Sequence, residues 1–326
     1  MAENRNVFGD SAHATVTTAR EFAAMLLPFT DKHRGAERIN ASLRSFAKPG
    51  TWFAPMWAIM VGAIGSTGSS WSFPTIGRIL LAMVMAGPLL CAFSQVVNDH
   101  FDRDVDRINE PLRPSAADLL GGRAVTVVAI ALAALALAIA FSLGRTVGYI
   151  ALGGLLLALA YSAPPIRLKA RDGWLANTAC AFAYEGFAWI AGSATFGRVT
   201  HGTIVLAILF SLGAHGLMTL NDFKSLAGDR QLGLRSIPVM LGPRAALLQA
   251  TTFINIFQML AFVYVAWEGM WIAAAVMSLL LLVQLPMQRK LAKDPARLAP
   301  WYCAAAIPPF CWSMLAGALA LRFGGF

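Results

Sequence analysis

The first residues whose types and spacing point to chemistry form an acidic run at positions 98–106, where an apolar segment ends. If a helix continues through this run, Asn98, Asp102 and Asp106 fall at positions i, i+4 and i+8. Asp99 lies three residues before Asp102 and shares that face, whereas Asp104 points away. Like charges at this spacing repel one another, more strongly near lipid than in water, so a compensating cation is expected. Oxygen ligands on one helical face are typical of Mg²⁺, which also keeps waters and binds substrate phosphates.

A second acidic segment, residues 221–229, ends a later apolar segment and begins with the same Asn-Asp pair. Asp222 and Asp229 lie two helical turns apart and again share a face. Four apolar segments lead from the first acidic run to the second, which suggests a duplicated four-helix unit whose acidic ends meet across a shared cavity. Either run alone is equally well explained as a solvated helix end, but the repetition weakens that interpretation.

Basic residues are interleaved with both acidic runs and with the loop between them. They are Arg103, Arg107 and Arg113 near the first run, Arg167, Lys169 and Arg171 in the loop after the fourth apolar segment, and Lys224, Arg230 and Arg235 near the second run. A mixture of carboxylates and cationic side chains suits a magnesium diphosphate, in which the metal bridges carboxylate to phosphate while Arg or Lys binds the remaining oxygens.

The elements that carry these residues are strongly apolar. Of 326 residues, 57% are hydrophobic and only 13% are charged, whereas soluble domains average about 45–50% apolar and roughly 25% charged residues. This composition excludes a soluble globular enzyme, a disordered chain, collagen and a coiled coil. Nine segments approach the roughly 20 apolar residues that a membrane-spanning helix needs. They are residues 49–66, 77–97, 124–142, 146–163, 174–196, 203–220, 244–266, 270–286 and 302–320.

Lipid offers the backbone no hydrogen-bond partner, so these segments predict an all-α integral membrane protein with nine transmembrane helices. Cytoplasmic loops retain Lys and Arg, and 22 of the 26 Lys and Arg residues lie in residues 1–48 or in the loops after every second segment. This asymmetry places the N-terminus in the cytoplasm, with residues 1–47 as a polar arm and residues 48–326 as the membrane domain. The net positive charge is then explained by basic cytoplasmic loops that are attracted to anionic lipid headgroups, so nucleic-acid binding is not expected.

Residues 98–106 match the signature N-D-x-x-D-x-x-x-D, and with it the chain resembles the UbiA-type intramembrane prenyltransferases over residues 48–320. Residues 161–165 and 221–238 are similar to the chlorophyll and bacteriochlorophyll synthase branch of that family. Residues 184–186 and 215–220 resemble its bacteriochlorophyll side. Ser225 departs from the superfamily pattern, which has a middle Asp at that place, so one expected metal ligand is replaced by a hydroxyl group.

The resemblance implies a UbiA-type bundle that transfers a geranylgeranyl or phytyl group from its diphosphate to the propionate of bacteriochlorophyllide. It also implies two Mg²⁺ ions, an active site on the cytoplasmic side of the inner photosynthetic membrane, and contacts with pigment-assembly proteins. The catalytic residues would be Asp102, Asp106, Asp222 and Lys169. The metal ligands would be Asn98, Asp99, Asp102, Asp106, Asp222 and Asp229. The diphosphate ligands would be Arg113, Lys169, Lys224 and Arg230.

Residues deeper in the apolar segments are candidates to contact the prenyl chain or the tetrapyrrole. Trp52, Phe53 and Tyr161 are expected as cavity walls, although packing or lipid contact explains such aromatic residues at least as well. Glu185 places a carboxylate in mid-segment, which costs about 2–3 kcal/mol or more and marks a contact with the macrocycle or a polar partner in the bundle. His215, seven residues before Asp222, is a candidate axial ligand of the pigment's magnesium, or a packing residue.

Other functions also fit parts of the sequence. A secondary transporter also carries charges within the membrane, but its site lies near the midplane, whereas these acids cluster at one surface. Phospholipid-headgroup transferases use Asp and a metal, but residues 98–113 lack the Asp-Gly and Ala-Arg steps of their signature. Within the family, the alternatives are a chlorophyll a synthase and a quinone or haem prenyltransferase, and residues 221–225 argue against the quinone and haem enzymes.

Overall fold

The structure of the protein is a computed structural model, and it describes residues 49–66, 71–109 and 122–326. The predicted cytoplasmic arm, residues 1–47, lies outside the described residues. Within the described ranges all regular secondary structure is helical, which confirms the predicted all-α class. Seven helices there are long and apolar enough to cross a membrane. They are Phe73–Phe101, Val125–Leu143, Arg145–Ser162, His201–Gln231, Pro243–Trp267, Trp271–Leu291 and Pro295–Gly324.

The helices are numbered here in chain order. They are α1 (Pro49–Ser66), α2 (Phe73–Phe101), α3 (Arg103–Asn109), α4 (Gly122–Leu143), α5 (Arg145–Ser162), α6 (Leu168–Arg171), α7 (residues 173–194), α8 (His201–Asn221), α9 (Leu226–Gln231), α10 (Ile237–Leu241), α11 (Pro243–Trp267), α12 (Trp271–Leu291) and α13 (Pro295–Gly324). Helices α2 and α13 extend beyond their predicted bounds of 77–97 and 302–320, because helical backbone continues past the apolar residues that defined those segments.

Helices α1 and α7 are not among the seven apolar spans, although both were predicted as membrane segments. Helix α1 matches its predicted bounds of 49–66. Helix α7, predicted as 174–196, consists of Gly173–Ala181, a π-helical turn Phe182–Gly186, and Phe187–Ala194. All the predicted apolar segments are therefore helical within the described ranges, while nine membrane crossings remain a prediction.

Helices α1 and α7 pack closely because glycine occupies their contact. A Cβ atom at Gly62 would lie 2.1 Å from the carbonyl oxygen of Trp189, and one at Gly192 would lie 2.1 Å from that of Ile59. Neither position can hold a side chain without moving the backbone. Small residues that let two backbones approach are a common means of helix association in membranes. This contact fixes α7, which lines the central cavity.

Two π-helical turns contribute side chains to that cavity. They are Met85–Cys91 in α2 and Phe182–Gly186 in α7. Pro88 lies in the first turn and has no amide proton, so the regular hydrogen bonding of the helix is interrupted there. The two turns meet where Cys91 Sγ lies 3.4 Å from the Tyr184 hydroxyl. Such turns occur frequently at functional sites.

Amide side chains connect the three C-terminal membrane helices. Asn255 of α11 and Gln288 of α12 exchange two hydrogen bonds of 2.9 and 2.7 Å. Gln258 and Gln284 form a second exchanged pair at 3.4 and 3.0 Å. Gln288 also donates to the Tyr302 hydroxyl of α13 at 3.1 Å. These bonds satisfy polar groups that would otherwise be buried without partners.

We expect Gly62→Ala to lower the thermal midpoint of the detergent-solubilised protein, because overpacking a close contact costs about 1–3 kcal/mol. Gly153→Ala is the matched control, since a Cβ at Gly153 meets no atom within 4 Å. Loss of monodisperse protein on heating measures both variants. Equal midpoints for the two variants would contradict the assigned packing of α1 against α7.

Candidate active site

A cavity of about 520 Å³ lies among the helices, with charged side chains at one end and apolar side chains along its walls. Residues of α1, α2, α5, α7, α8 and α13 and of both acidic segments line it. The predicted site residues that it brings together are Phe53, Asn98, Asp102, Asp106, Tyr161, Lys169, Glu185, Asp222, Lys224 and Asp229. The two acidic runs, far apart in the chain, therefore share one cavity.

The first acidic segment is not a continuous helix. Helix α2 ends before Asp102, whose φ of −102° and ψ of 11° are not helical, and α3 begins at the next residue. Backbone hydrogen bonds still cross the break. The Asp102 amide donates to the Asn98 carbonyl at 2.9 Å, and the Asp106 amide donates to that of Asp102 at 2.8 Å. Both Asp102 and Asp106 are buried, 3% and 5% exposed. Asp104 points to solvent, as predicted, and pairs with Arg107 at 3.0 Å.

Two basic side chains oppose the buried charge of Asp102. The Lys169 ammonium group donates a hydrogen bond to Oδ2 of Asp102. Arg167 Nη2 lies 3.5 Å from Oδ1 and donates to the carbonyl of Phe101 at 3.0 Å. A carboxylate buried without such partners would be strongly destabilising. The pairing therefore explains how Asp102 is accommodated beside an apolar cavity.

The position of Lys169 is set by the backbone around it. Lys169 lies on the short helix α6, and Asp172 then caps α7 by accepting hydrogen bonds from its first amides at 2.8 and 3.2 Å. The Gly173 amide donates to the carbonyl of Arg235 at 3.0 Å, and a Cβ at Gly173 would lie 2.6 Å from that oxygen. This contact attaches the Lys169 segment to the chain that follows the second acidic segment.

The second acidic segment also departs from a regular helix, since α8 is followed by a 3₁₀ turn at Asp222–Ser225. Helix α9 then packs against α3 of the first acidic segment. Asp222 Oδ2 accepts a hydrogen bond from Asn177 Nδ2 at 2.8 Å, and Asn177 also donates to Thr219 Oγ1 at 3.3 Å. The sequence analysis missed Asn177. An amide side chain within an apolar membrane segment was the signal that could have indicated it.

Lys169 lies between the two acidic segments. Besides its hydrogen bond to Asp102, its positive charge acts on Asp222 and Asp229. Lys224, exposed on the 3₁₀ turn, adds a second positive charge to the same end of the cavity. A phosphate group entering here would find two cationic side chains among four carboxylates, an arrangement that suits an anion accompanied by metal ions.

The donor set fits magnesium held together with a phosphate-bearing substrate. Carboxylates of both acidic segments and the Asn98 amide line the cavity. Oδ1 of Asp102 is buried and accepts no hydrogen bond from the described residues. Within the same ranges, no three His, Cys, Asp or Glu side chains are close enough to hold one ion by themselves. Mg²⁺ usually binds one or two carboxylates and completes its shell with waters and substrate phosphates, which this arrangement allows.

Several predicted site residues do not line the cavity, and Arg113 lies outside the described residues. Asp99 is buried at 1% exposure and is not among the lining side chains. Arg230 is exposed on α9 and is not among the lining side chains. Trp52 packs against α2 instead of facing the cavity. The structure therefore does not bring these three residues to the cavity, and their predicted roles there stay predictions.

His215 also lies outside the cavity, which favours the packing role over that of a pigment ligand, the two alternatives that the sequence left open. Its ring is 1% exposed and stacks between Trp174 and Phe253, with centroid distances of 5.7 and 4.7 Å. Nδ1 lies 3.0 Å from Thr178 Oγ1. His215 is a packing residue.

Comparison with known proteins identifies this architecture. The model of the UbiA prenyltransferase family matches residues 55–318. The chain belongs to the UbiA prenyltransferase family. This UbiA prenyltransferase is therefore an enzyme that transfers prenyl groups, as the sequence motif predicted.

Similar proteins cover most of this UbiA prenyltransferase. The bacteriochlorophyll synthase 34 kDa chain of Chloroflexus aurantiacus is 44% identical over 274 residues, which are 84% of this chain and 88% of the relative. The bacteriochlorophyll synthase 33 kDa chain of Cereibacter sphaeroides is 40% identical over 286 residues, 86% of this chain and 93% of the relative. A solved UbiA homolog from Archaeoglobus fulgidus bound to GPP and Mg2+ has a TM-score of 0.66 and 20% identity, covering 84% of this chain and 99% of that chain. This last likeness shows the fold.

Asp102→Asn should weaken binding of Mn²⁺, a spectroscopic substitute for Mg²⁺, by about ten-fold or more in the presence of inorganic diphosphate. The change removes a negative charge and leaves Lys169 and Arg167 unopposed. Asp104→Asn, on the exposed side of the same segment, is the matched control and should alter the affinity by less than about two-fold. Electron paramagnetic resonance of free Mn²⁺ measures both. Equal affinities for the two variants would show that Asp102 is not part of the metal site.

Proposed function

We propose that this UbiA prenyltransferase is a bacteriochlorophyll synthase, which esterifies the propionate of bacteriochlorophyllide with a geranylgeranyl or phytyl group from the allylic diphosphate. One observation carries the proposal. Two acidic segments and Lys169 form a charged end on an apolar cavity, in a chain 44% and 40% identical to relatives named bacteriochlorophyll synthase. The charged end suits a metal-bound diphosphate, and the apolar remainder suits a long hydrocarbon chain and a macrocycle.

The diphosphate would bind between the two acidic segments, with Lys169 and Lys224 on its oxygens. Asp102 and Asp106 would hold one Mg²⁺, and Asp222 and Asp229 a second. Bound magnesium supplies positive charge that offsets the charge developing on the leaving diphosphate. Lys169 pairs with Asp102 in the structure. With Asp102 occupied as a metal ligand, Lys169 would be available to bond a phosphate oxygen.

The transfer step needs no general base. A carboxyl group in water has a pKa of about 4, so the propionate is ionised at neutral pH. One propionate oxygen bonds to C1 of the prenyl group while the bond from C1 to the diphosphate oxygen breaks, and that electron pair leaves with the diphosphate. No proton is transferred. The charged side chains therefore serve to bind and to balance charge.

The developing allylic cation must be kept from water. Apolar side chains of α5, α8 and α13 line the cavity beyond the charged end. Tyr161 lies between the two regions, with its ring centroid 6.0 Å from Lys169 Nζ. An aromatic face at this position would stabilise positive charge at C1 while excluding water from it.

We place the enzyme in the inner, intracytoplasmic membrane of a photosynthetic bacterium, with the charged end on the cytoplasmic side. The distribution of Lys and Arg supports this orientation, since 22 of 26 fall on the same predicted side as the acidic segments. Residues 1–47 would form a cytoplasmic arm before the membrane domain of residues 48–326. That arm is a candidate contact for pigment-assembly proteins.

Membranes that contain the enzyme should esterify bacteriochlorophyllide a with geranylgeranyl diphosphate, and EDTA should stop the reaction because it removes Mg²⁺. Chlorophyllide a and a hydroxybenzoate serve as competing acceptors, and chromatography measures the products. We expect bacteriochlorophyllide to be preferred by about ten-fold or more in kcat/KM. Preference for chlorophyllide would instead identify a chlorophyll synthase. Prenylated hydroxybenzoate would contradict the proposed acceptor while leaving the family assignment intact.

A further inference from the structure

The cavity has two walls of different polarity beyond its charged end. The α5 wall consists of Ile150, Ala151, Gly154, Leu157 and Ala158. The Glu185 wall consists of Thr51, Cys91, Gln95, Tyr184 and Glu185. These five side chains, each with a polar or sulfur atom, lie among apolar lining residues of α1, α2 and α7 such as Ala54, Leu90 and Ala183, whereas the α5 wall has no polar side chain. Because both walls lie beyond the charged end, their difference in polarity acts on the parts of the substrates that extend past the diphosphate.

Glu185 contributes to this wall a carboxyl oxygen with no partner among the described residues. Its side chain is 7% exposed and lies in the π-helical turn Phe182–Gly186 of α7. Oε2 is buried and makes no hydrogen bond to the described residues. An ionisable side chain inside a membrane helix is costly and usually has a functional partner. A group on a bound ligand can supply that partner.

Glu185 is too deep in the cavity to take part in the charged end. Asn177, which donates to Asp222, marks the charged end on α7. Glu185 follows Asn177 by eight residues, which places it about 12 Å further along the helix. Because magnesium–oxygen bonds are about 2.1 Å long, Glu185 cannot share a metal ion with Asp222 across that distance.

Other polar side chains lie at a similar depth. The Tyr184 hydroxyl is 3.4 Å from Cys91 Sγ and accepts a hydrogen bond from Gln95 Nε2 at 3.3 Å. Cys91 precedes Asn98 by seven residues, or about 10 Å along α2 from the charged end. Glu185 therefore belongs to a polar level formed jointly by α2 and α7.

The α5 wall is apolar along its whole length. Ile150 precedes Tyr161 by eleven residues, so the wall extends about 16 Å from the charged end. Gly154 leaves room beside it, since a Cβ there would meet no atom within 4 Å. An extended C20 chain is roughly 20 Å long, because each carbon–carbon bond of about 1.5 Å advances it by slightly less than its length. The wall can therefore contact most of such a chain.

We propose that the two walls sort the two substrates. The acceptor macrocycle binds against the Glu185 wall, where the Glu185 carboxyl group bonds a polar group of the ring, and the prenyl chain lies along the α5 wall. This inference rests on the proposed function, because it requires a tetrapyrrole acceptor. A hydrocarbon chain offers Glu185 no hydrogen bond and would leave the carboxyl group buried without a partner. The macrocycle carries carbonyl groups and a central magnesium ion, both of which a carboxyl group can bond.

Steady-state kinetics with each substrate varied in turn tests the proposal. Glu185→Leu should raise the KM for bacteriochlorophyllide about ten-fold and change the KM for geranylgeranyl diphosphate by less than about two-fold. Gly154→Leu fills the open space on the α5 wall. It should raise the KM for geranylgeranyl diphosphate about ten-fold and change the KM for bacteriochlorophyllide by less than about two-fold. Reversed selectivities, or unchanged KM values for both substrates in both variants, would overturn the assignment of the walls.

A second variant controls for failure to fold, and the activity of the wild type separates failure of the proposed function from failure of the wall assignment. Glu185→Met keeps the length of the side chain but removes both carboxyl oxygens, so it decides the question where Glu185→Leu does not fold. It should also raise the KM for bacteriochlorophyllide selectively. Thermal stabilisation by geranylgeranyl diphosphate and Mg²⁺ checks that the charged end of each variant is intact. Wild-type enzyme that does not esterify bacteriochlorophyllide overturns the proposed function and the wall assignment together. Active wild type with Glu185 variants impaired only toward the prenyl diphosphate overturns the wall assignment alone.

Discussion

The charged end of the cavity depends on Lys169, whose positive charge offsets the negative charge of the buried carboxylates around it. Asp102 and Asp106 are buried beside an apolar cavity, and Asp222 and Asp229 line the same end. Carboxylates gathered in this way repel one another in a medium of low polarity. The Lys169 ammonium group bonds Asp102, and its charge reaches the second acidic segment as well. The loop that carries Lys169 must therefore lie between the two segments.

Local features of the backbone hold that loop in place. The Asp172 cap starts α7 directly after the Lys169 helix, and Gly173 attaches the same loop to the chain behind the second acidic segment. The break at Asp102 and the 3₁₀ turn at Asp222 end two long helices where their carboxylates can face the cavity. The result is a charged end joined to an apolar interior. In the proposed function, these two regions of one cavity bind the diphosphate and shield the allylic cation from water.

The sequence predicts the helical class and both acidic segments, because runs of apolar residues and the Asn-Asp motifs are local signals. It does not predict the break at Asp102 or the 3₁₀ turn at Asp222, since helical periodicity assumes an unbroken helix. Asp99 and His215 were expected at the cavity from helical spacing alone, and neither is among the residues that line it. Asn177 was missed because its role depends on a tertiary contact with Asp222. Contacts between distant segments carry no signature in a single sequence.

A crystal structure with Mn²⁺ and geranylgeranyl thiolodiphosphate, a slowly reacting analogue, tests directly whether the charged end holds one metal-bound diphosphate between the two acidic segments. Anomalous scattering locates the manganese. We expect it about 2.1–2.2 Å from carboxylate oxygens of Asp102 or Asp106 and of Asp222 or Asp229, as for other hard cations on oxygen ligands. Lys169 should then have turned from Asp102 to a phosphate oxygen. Metal and diphosphate bound elsewhere, or a Lys169–Asp102 bond that is unchanged in the complex, would contradict this account.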